Sequence, residues 1–245
     1  MYREIKPSPD LAPFVECFWV SEVASDRCRR ILPDGCLDIL FFAWGRDRGQ
    51  PIVDAQVVGA MTRFRDVFLR SDESILGVRF HPGMAGSFLP GDLSLLNDRA
   101  VPLEAVAGRA TKGLLKDLGC CSSIEARVEK LDGRLVVLPR ITEVQHAIGV
   151  LVQRRGQLAL ADFAESAGVG DRQLRRRCQK HSGLAPKQLA RILRFRHTSR
   201  LLREGVTDLA GLALDCGYYD QAHMVRDFRE LAGTSPARFL RQHGR

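Results

Sequence analysis

The sequence predicts an α+β protein with two domains: a small β-rich, barrel-like N-terminal domain with trailing helices, and an all-α C-terminal domain with two helix-turn-helix units. Three observations predict this fold class. Short apolar runs separated by turn residues occupy the first hundred residues. Apolar residues recur at helical spacing from about residue 102 onward. One pattern then occurs twice in the last hundred residues, which indicates a repeated helical unit.

Short apolar and aromatic runs indicate the strands of the N-terminal part. They cover residues 14–20, 37–44, 57–61, 67–69 and 75–80. Turn residues separate these runs, as in Pro33-Asp34-Gly35, in residues 44–47 and in His81-Pro82-Gly83. Strands this short at this spacing favour a small barrel or sandwich.

Helical spacing begins after Pro102 and continues to Gly119, and a second short helix is expected from 123 to 131. The apolar seam from Leu103 to Leu118 could form a dimer interface or cover the barrel, and the sequence leaves both open. We place the domain boundaries at 1–132 and 140–245, with residues 133–139 as the linker.

Positive charge is concentrated in the C-terminal part of the chain. Residues 1–139 hold 18 Lys and Arg against 19 Asp and Glu, whereas residues 140–245 hold 19 against 10. A basic domain joined to a nearly neutral one is typical of a polyanion binder coupled to a second function. The alternative is that the arginines cover an ordinary solvated helix surface.

The start of the chain and its cysteines predict a cytoplasmic protein. Residues 1–7 lack the apolar core of a signal peptide, and no apolar run approaches the roughly 18–20 residues that a membrane helix needs. The seven cysteines are scattered, so reduced thiols are expected. We predict no membrane partner and no cofactor. We also predict no metal: if the N-terminal part is a cupin-like barrel, it is not a metal cupin, because such a site needs two or three histidines and His81 is the single histidine before residue 140. A thiol sensor or soft-metal site built from Cys17, Cys28 and Cys36 is an alternative.

The repeat in the C-terminal part aligns two copies of a helix, a glycine turn and a basic helix. The first block matches residues 49 positions later: Leu160, Phe163, Ala164 and Gly168 match Leu209, Leu212, Ala213 and Gly217. A second block matches residues 50 positions later. The members of this second block are Leu174, Arg176, Cys178, Gly183 and Pro186, which match Met224, Arg226, Phe228, Gly233 and Pro236. Two tandem copies predict two DNA-reading units in one chain.

Rotation by about 100° per residue separates the two faces of each predicted reading helix. In residues 171–182, Leu174 and Cys178 face inward and Arg176 faces outward; residues 220–231 give the same geometry. The predicted DNA contacts are Arg172, Gln173, Arg175, Arg176, Lys180, Gln221, His223 and Arg226. Arginine can pair bidentately with guanine and glutamine with adenine. We expect the first helix to carry more of the specificity and the second more of the positioning. An intradomain salt bridge is the alternative role for Arg176 and Arg226.

Residues 140–245 resemble the AraC-type family of bacterial transcription regulators. The resemblance rests on Leu174-Arg175-Arg176, on residues 183–189 and on Arg194-Phe195 followed by Leu201-Leu202, and above all on residues 217–228 and 233–239. It implies that a long helix over residues 186–203 joins the two units, so that the reading helices enter successive major grooves about 34 Å apart. Gly170, Cys178 and Thr198 stand where the family usually has Ser, Phe and Ala.

Residues 31–39, with residues 77–83, resemble a small β-rich domain found ahead of some of these regulators. The resemblance implies a domain that senses a small molecule or holds a homodimer. The candidate effector-binding residues are Trp19, Asp34, Asp38, Arg79 and His81. The alternative is that the polar residues are turn residues and loop polar groups with satisfied hydrogen bonds, and that Trp19 is a core residue.

The sequence therefore predicts a sequence-specific regulator whose partners are double-stranded DNA, a small-molecule effector and a second copy of the chain, with RNA polymerase as a further candidate. A DNA-binding module with a purely structural or dimerising N-terminal domain is an alternative. A DNA-repair enzyme is another, because some alkylation-repair methyltransferases carry an AraC-like domain. Their reactive thiol lies in a Pro-Cys-His-Arg run, and no cysteine of this chain precedes a histidine. We therefore expect no enzymatic activity.

Overall fold

The computed structural model describes residues 1–44, 52–135 and 140–243, apart from the side chain of Leu160. Residues 45–47 of the predicted turn at 44–47 lie outside the described residues, as do residues 136–139 of the predicted linker. The fold class is confirmed: a β-rich N-terminal part precedes an all-α C-terminal part.

Eight strands form the N-terminal part among the described residues. They are β1 (Tyr2–Ile5), β2 (Val15–Glu22), β3 (Arg27–Ile31), β4 (Leu37–Trp44), β5 (Ile52–Val58), β6 (Arg65–Leu69), β7 (Glu73–Phe80) and β8 (Ala100–Pro102). Six of them make one antiparallel sheet in the order β1-β2-β7-β4-β5-β8, and β3 pairs with β6 in a separate ribbon. The predicted strand at 57–61 is wrong in its bounds, because β5 ends at Val58 and the chain then leaves the sheet.

Both faces of the main sheet are covered. Phe18, Phe41 and Phe80 belong to a core that includes Leu118 and Leu131 from the helices that follow the sheet. The opposite face packs against the β3–β6 ribbon through a smaller cluster of Val23, Leu69 and Ile75, with Trp19, Leu40, Phe42 and Val67 beside it. The sheet thus has two packed faces.

Three helices follow the sheet: α1 (Leu103–Ala107), α2 (Ala110–Gly119) and α3 (Ile124–Leu135). The prediction of one continuous helix up to Gly119 is wrong, because Gly108 adopts a φ of 66° and ends α1. Helix α3 extends to Leu135 and so includes the first residues of the predicted linker. Leu118 is buried in the core of the sheet, so at this residue the apolar seam covers the sheet.

Seven helices form the C-terminal part among the described residues. They are α4 (Glu143–Gln153), α5 (Leu160–Ser166), α6 (Asp171–Ser182), α7 (Pro186–Arg203), α8 (Leu209–Asp215), α9 (Gln221–Ala232) and α10 (Pro236–His243). One apolar core joins them, with Leu174 and Met224 fully buried at equivalent repeat positions. Phe195 of α7 contacts Phe228 of α9 at a centroid distance of 4.8 Å, and Phe228 contacts Phe239 of α10 at 5.7 Å. These edge-to-face contacts fix the second unit against the long helix.

Candidate nucleic-acid interface

The two predicted reading helices are α6 and α9, and the buried side chains of each are those expected from helical rotation. Leu174 and Cys178 of α6 are fully buried, as are Met224 and Phe228 of α9. Cys178, which stands where the family resembled by the sequence usually has phenylalanine, is inaccessible to solvent. With these faces occupied by the core, the opposite faces of α6 and α9 are left to solvent.

The predicted DNA contacts lie on these outer faces. The exposed ones are Arg172, Arg175, Arg176, Lys180, Gln221 and Arg226, whereas Gln173 and His223 are half-buried. No ion pair between described residues involves Arg176 or Arg226, so the alternative of an intradomain salt bridge does not hold in this structure. The guanidinium groups on the outer face of α6 are therefore open to a partner of opposite charge.

His223 is held by its neighbours. Its Nδ1 accepts a hydrogen bond from the backbone N–H of Tyr219 at 3.4 Å, and its ring meets Tyr218 edge-on at 5.3 Å. Tyr219 itself is 88% exposed beside the N-terminus of α9. A ring oriented in this way presents Nε2 as its free polar atom.

The two reading helices differ at their N-termini. Asp220 caps α9, because its Oδ1 accepts a hydrogen bond from the N–H of His223 at 2.6 Å. Gly170 occupies the equivalent position before α6 and offers no side-chain cap. The first-turn N–H groups of α6 thus lack a side-chain acceptor, which favours an external anion such as a phosphate.

We expect Asp220→Ala to lower the free energy of unfolding by about 0.5–2 kcal/mol, because it removes the cap of α9. Gly170→Ala at the equivalent position is the matched control and should cost less, since no cap is lost there. Urea unfolding of both variants measures the difference. Equal losses at the two positions would contradict the assignment of the cap.

A buried carboxylate that the sequence analysis did not single out positions α9. Arg191 of α7 donates from Nε to Oδ1 of Asp227 at 2.7 Å and also binds Glu230. The Asp227 side chain is 6% exposed. This ion pair fixes α9 to α7 immediately beside Arg226 in the sequence. A buried charge pair between helices leaves no periodicity that sequence reasoning could detect.

Four of the five candidate effector residues come together on the main sheet. Asp38 accepts hydrogen bonds from Nε1 of Trp19 at 2.9 Å and from Nε of Arg79 at 3.2 Å. Asp34 lies 3.7 Å from the same guanidinium nitrogen. His81 lies apart from them, with Nε2 at 3.2 Å from the carbonyl oxygen of Ala12, and burial lowers its pKa. The polar groups of the four residues bind one another in this structure.

Burial is the largest influence on the Asp38 carboxyl. It raises the pKa to about 6, with repulsion from Asp34 adding to it and the charge of Arg79 opposing it. An unperturbed aspartate titrates near 4. Asp38 therefore gains its charge only as the pH rises through about 6.

We expect the fluorescence of Trp19 to titrate with a midpoint near pH 6, because the charge of Asp38 appears next to the indole N–H. The measurement is emission against pH in a Trp44→Phe background, where Trp19 is the remaining tryptophan of the two in the chain. Adding Asp38→Asn should remove the titration. A titration that persists with asparagine would assign it to another group.

The cysteines give little support to a thiol sensor. Burial raises the pKa of Cys17 to about 12 and raises that of Cys36 as well, which disfavours the reactive thiolate. Cys28 lies exposed on the separate β3–β6 ribbon. Within the described ranges, no group of three or more His, Cys, Asp or Glu side chains could hold a metal ion.

A charged contact joins the two parts of the chain near the candidate effector residues. Arg196 of α7 donates to the carboxylate of Glu16 on β2, and its Nη1 lies 3.7 Å from the sulfur of Cys36. Burial would raise the pKa of Glu16, but the charge and hydrogen bond of Arg196 outweigh it, so the pKa lies below its ordinary value. The long helix is thus tied directly to the sheet.

Two helix-turn-helix units on a shared long helix define the C-terminal part as a DNA-binding domain. Residues 163–242 match the family model described as a helix-turn-helix domain, and residues 3–102 match that of a domain of unknown function, DUF6597. The chain therefore carries a helix-turn-helix domain over residues 163–242, preceded by a DUF6597 domain over residues 3–102. The matched residues place this part of the chain in the helix-turn-helix class of DNA-binding domains.

Solved structures with similarity to the chain include the DNA-binding domain of AdpA, a global transcriptional factor, in complex with a target DNA. It is 22% identical, covers 41% of this chain and 92% of its own, and has a TM-score of 0.40. ToxT from Vibrio cholerae is 11% identical over 92% of this chain and 98% of its own, with a TM-score of 0.47. ToxT from strain SCE256 with a bound unsaturated fatty acid is 12% identical, covering 90% and 96%, with a TM-score of 0.42. No curated protein matches the chain. None of the described helices has the length and apolar character needed to cross a bilayer.

Proposed function

We propose that this protein is a sequence-specific transcription regulator that reads two successive major grooves, with α6 in one and α9 in the next. The observation that carries the proposal is the strip of exposed arginines on α6, which form no ion pairs with described residues. Helices α6 and α9 occupy equivalent positions in the two repeated units. A strip of this kind suits the acceptor pattern of guanine in the major groove.

The two helices have different roles in DNA binding. Arg172 and Arg176 on α6 read base edges, while the uncapped N-terminus of α6 receives a phosphate. Gln221 and Arg226 on α9 add contacts in the next groove, where Asp227 and Glu230 are already engaged by Arg191. One chain then reads an asymmetric site of two helical turns, and a homodimer reads two such sites. We assign the protein to the cytoplasm, assign it no catalytic activity, and include RNA polymerase as a partner at the promoter.

The N-terminal domain controls DNA binding in this proposal, through a small-molecule effector or through dimerisation. The contact between Arg196 and Glu16 supports control, because it links the sheet to the helix that carries both reading units. The second candidate is a purely structural or dimerising N-terminal domain. It is favoured by the cluster of Trp19, Asp38 and Arg79, whose polar groups already bind one another.

Selection of bound DNA from a random duplex pool, with the full-length protein at a stated near-physiological salt, tests the proposal. We expect a motif with two half-sites about one helical turn apart. Salt-sensitive binding without any motif would contradict sequence-specific reading by the protein alone. Repeating the selection with Arg176→Ala then shows which base pairs depend on α6.

A further inference from the structure

The N-terminal domain touches the C-terminal ends of both reading helices. Helix α6 ends at Ser182, and Asn97 donates from Nδ2 to the carbonyl oxygen of the following Gly183 at 2.6 Å. Helix α9 ends at Ala232, just before Gly233, and Arg30 donates from Nη1 to the carbonyl oxygen of Ala232 at 3.3 Å. Two separate parts of one domain therefore bind the C-terminal ends of two repeated helices, at carbonyl groups that lie one residue apart in the repeat.

Both contacts are close-packed. A Cβ atom at Gly183 would lie 2.5 Å from Oδ1 of Asn97. At Gly233 it would lie 2.7 Å from the ring of Phe64 and 2.9 Å from Nη1 of Arg30. Both glycines also have positive φ, 78° and 68°, which other residues rarely adopt. Each helix end thus fits against the N-terminal domain without space for a side chain.

The two contact points are connected inside the N-terminal domain. Asp98 follows Asn97, and its carboxylate accepts hydrogen bonds from the N–H of Thr62 at 2.7 Å and from the Thr62 hydroxyl at 2.5 Å. The N–H of Asp98 donates to the carbonyl oxygen of Ala60 at 3.2 Å. Arg65 donates to the carbonyl oxygen of Asp98. We call residues 59–65 and 93–99, joined in this way, the bridge.

The bridge is fixed between the two reading helices. Ala60 is 1% exposed and belongs to the same core as the C-terminal helices. The short 3₁₀ helix Leu93–Leu96 packs against α6. At the other end, the guanidinium of Arg30 lies over the ring of Phe64 at 4.1 Å, so the residue that binds Ala232 is itself attached to the bridge. The path from Gly183 to Gly233 therefore passes through contacts at every step.

The two units are also connected within the C-terminal part, through their shared packing against helix α7 and through the hydrogen bond from Nε2 of Gln157 to the carbonyl oxygen of Asp215 at 3.0 Å. Two units that pack along one helix can still shift relative to each other, whereas a further connection at a distance from that helix restricts the shift. From this geometry we infer that the N-terminal domain sets the spacing and relative orientation of the two reading helices, with Asn97, Phe64 and Arg30 as positioning residues. The inference rests on the proposed reading of two grooves.

A spacing assay tests the inference on DNA. The probes are the duplex selected by the full-length wild type and two derivatives with one base pair added or removed between the half-sites. One base pair shifts the second half-site by about 3.4 Å and rotates it by roughly 35°. We expect the wild type to lose affinity for the altered spacings about tenfold or more. The full-length double variant Arg30→Ala/Asn97→Ala should discriminate between spacings less than about threefold, while it keeps the same half-site sequence preference.

Arg70→Ala is the matched control for the charge change. Arg70 pairs with Asp72 and lies over the ring of Trp44, just as Arg30 pairs with Asp66 and lies over Phe64. Its guanidinium has no described hydrogen bond or ion pair to the C-terminal helices. The Arg70→Ala variant should discriminate between the half-site spacings as strongly as the wild type does. Equal discrimination by the double variant and the wild type would overturn the inference, since contacts within the C-terminal part would then be enough to set the spacing.

Amide hydrogen exchange on the free full-length protein separates this inference from the proposed function. We expect the double variant to exchange faster at residues 181–184 and 231–234, with the centre of α7 unchanged. If the wild type selects no two-half-site motif, the proposed function fails. Faster exchange at both helix ends would then still support the bridge, and unchanged exchange there would overturn it. The single variants Arg30→Ala and Asn97→Ala give the same readout if the double variant does not fold.

Discussion

Replacement of Arg176 by alanine is expected to weaken binding to the selected operator by about 1–3 kcal/mol, with the loss confined to one or two base pairs. Arg176 is exposed on the outer face of α6, and the buried Leu174 and Cys178 fix the direction of that face. A guanidinium that pairs with guanine O6 and N7 loses both hydrogen bonds on truncation. Binding of the variant to all single-base changes of the operator measures the loss at each position.

Arg109→Ala is the control for the net charge. Arg109 is exposed in the N-terminal part, before α2, so its removal changes the charge without touching a reading helix. We expect it to leave the base preferences unchanged. If Arg176→Ala weakens binding to the operator and to random DNA equally, Arg176 contacts phosphate and does not read bases.

Replacement of Arg191 by alanine is expected to lower the free energy of unfolding by about 3–5 kcal/mol. The change leaves the Asp227 carboxylate buried without its partner, because Arg191 binds Oδ1, Oδ2 has no described hydrogen bond, and the side chain is 6% exposed. Helix α9 should loosen from α7, and binding to the second half-site should weaken with it. Urea unfolding measures the stability, and the selected operator measures the binding.

Arg200→Ala on the same helix is the matched control. Arg200 pairs with Glu204 at 2.7 Å on the surface, and both side chains are about half exposed. Exposed pairs of this kind contribute less than about 1 kcal/mol. A loss at Arg191 as small as the loss at Arg200 would show that the buried pair does not hold α9. Arg191→Ala/Asp227→Ala should recover part of the loss, because no buried charge is then left unpaired.

The C-terminal helices were predictable because their local signals agree with their tertiary packing. The predicted bounds of α6 and α7 are those observed, and α9 begins one residue later than predicted. Apolar residues at helical spacing, Pro186 at the start of α7 and the glycine after each reading helix each mark a boundary. The outer face of α6 follows from the same periodicity.

The strands were less predictable because pairing with a neighbouring strand determines where each one forms. Strand β3 consists largely of arginine and is exposed along most of its length, so no apolar pattern marks it. It exists because each of its residues pairs with one of β6. Strand β5 contains Asp54 and Gln56, which interrupt the apolar run, while Ala55 and Val57 alternate toward the core. A period of two over so few residues is a weak signal.

The sequence by itself determined the class of this protein, its two tandem reading units and the outer face of each reading helix, because those depend on spacing within single helices. The tertiary structure alone decided how the N-terminal domain meets those helices. The contacts of Asn97 with Gly183, Arg30 with Ala232 and Glu16 with Arg196 join residues far apart in the chain. Such contacts follow from the packing of whole elements against one another, and no local periodicity or spacing encodes them.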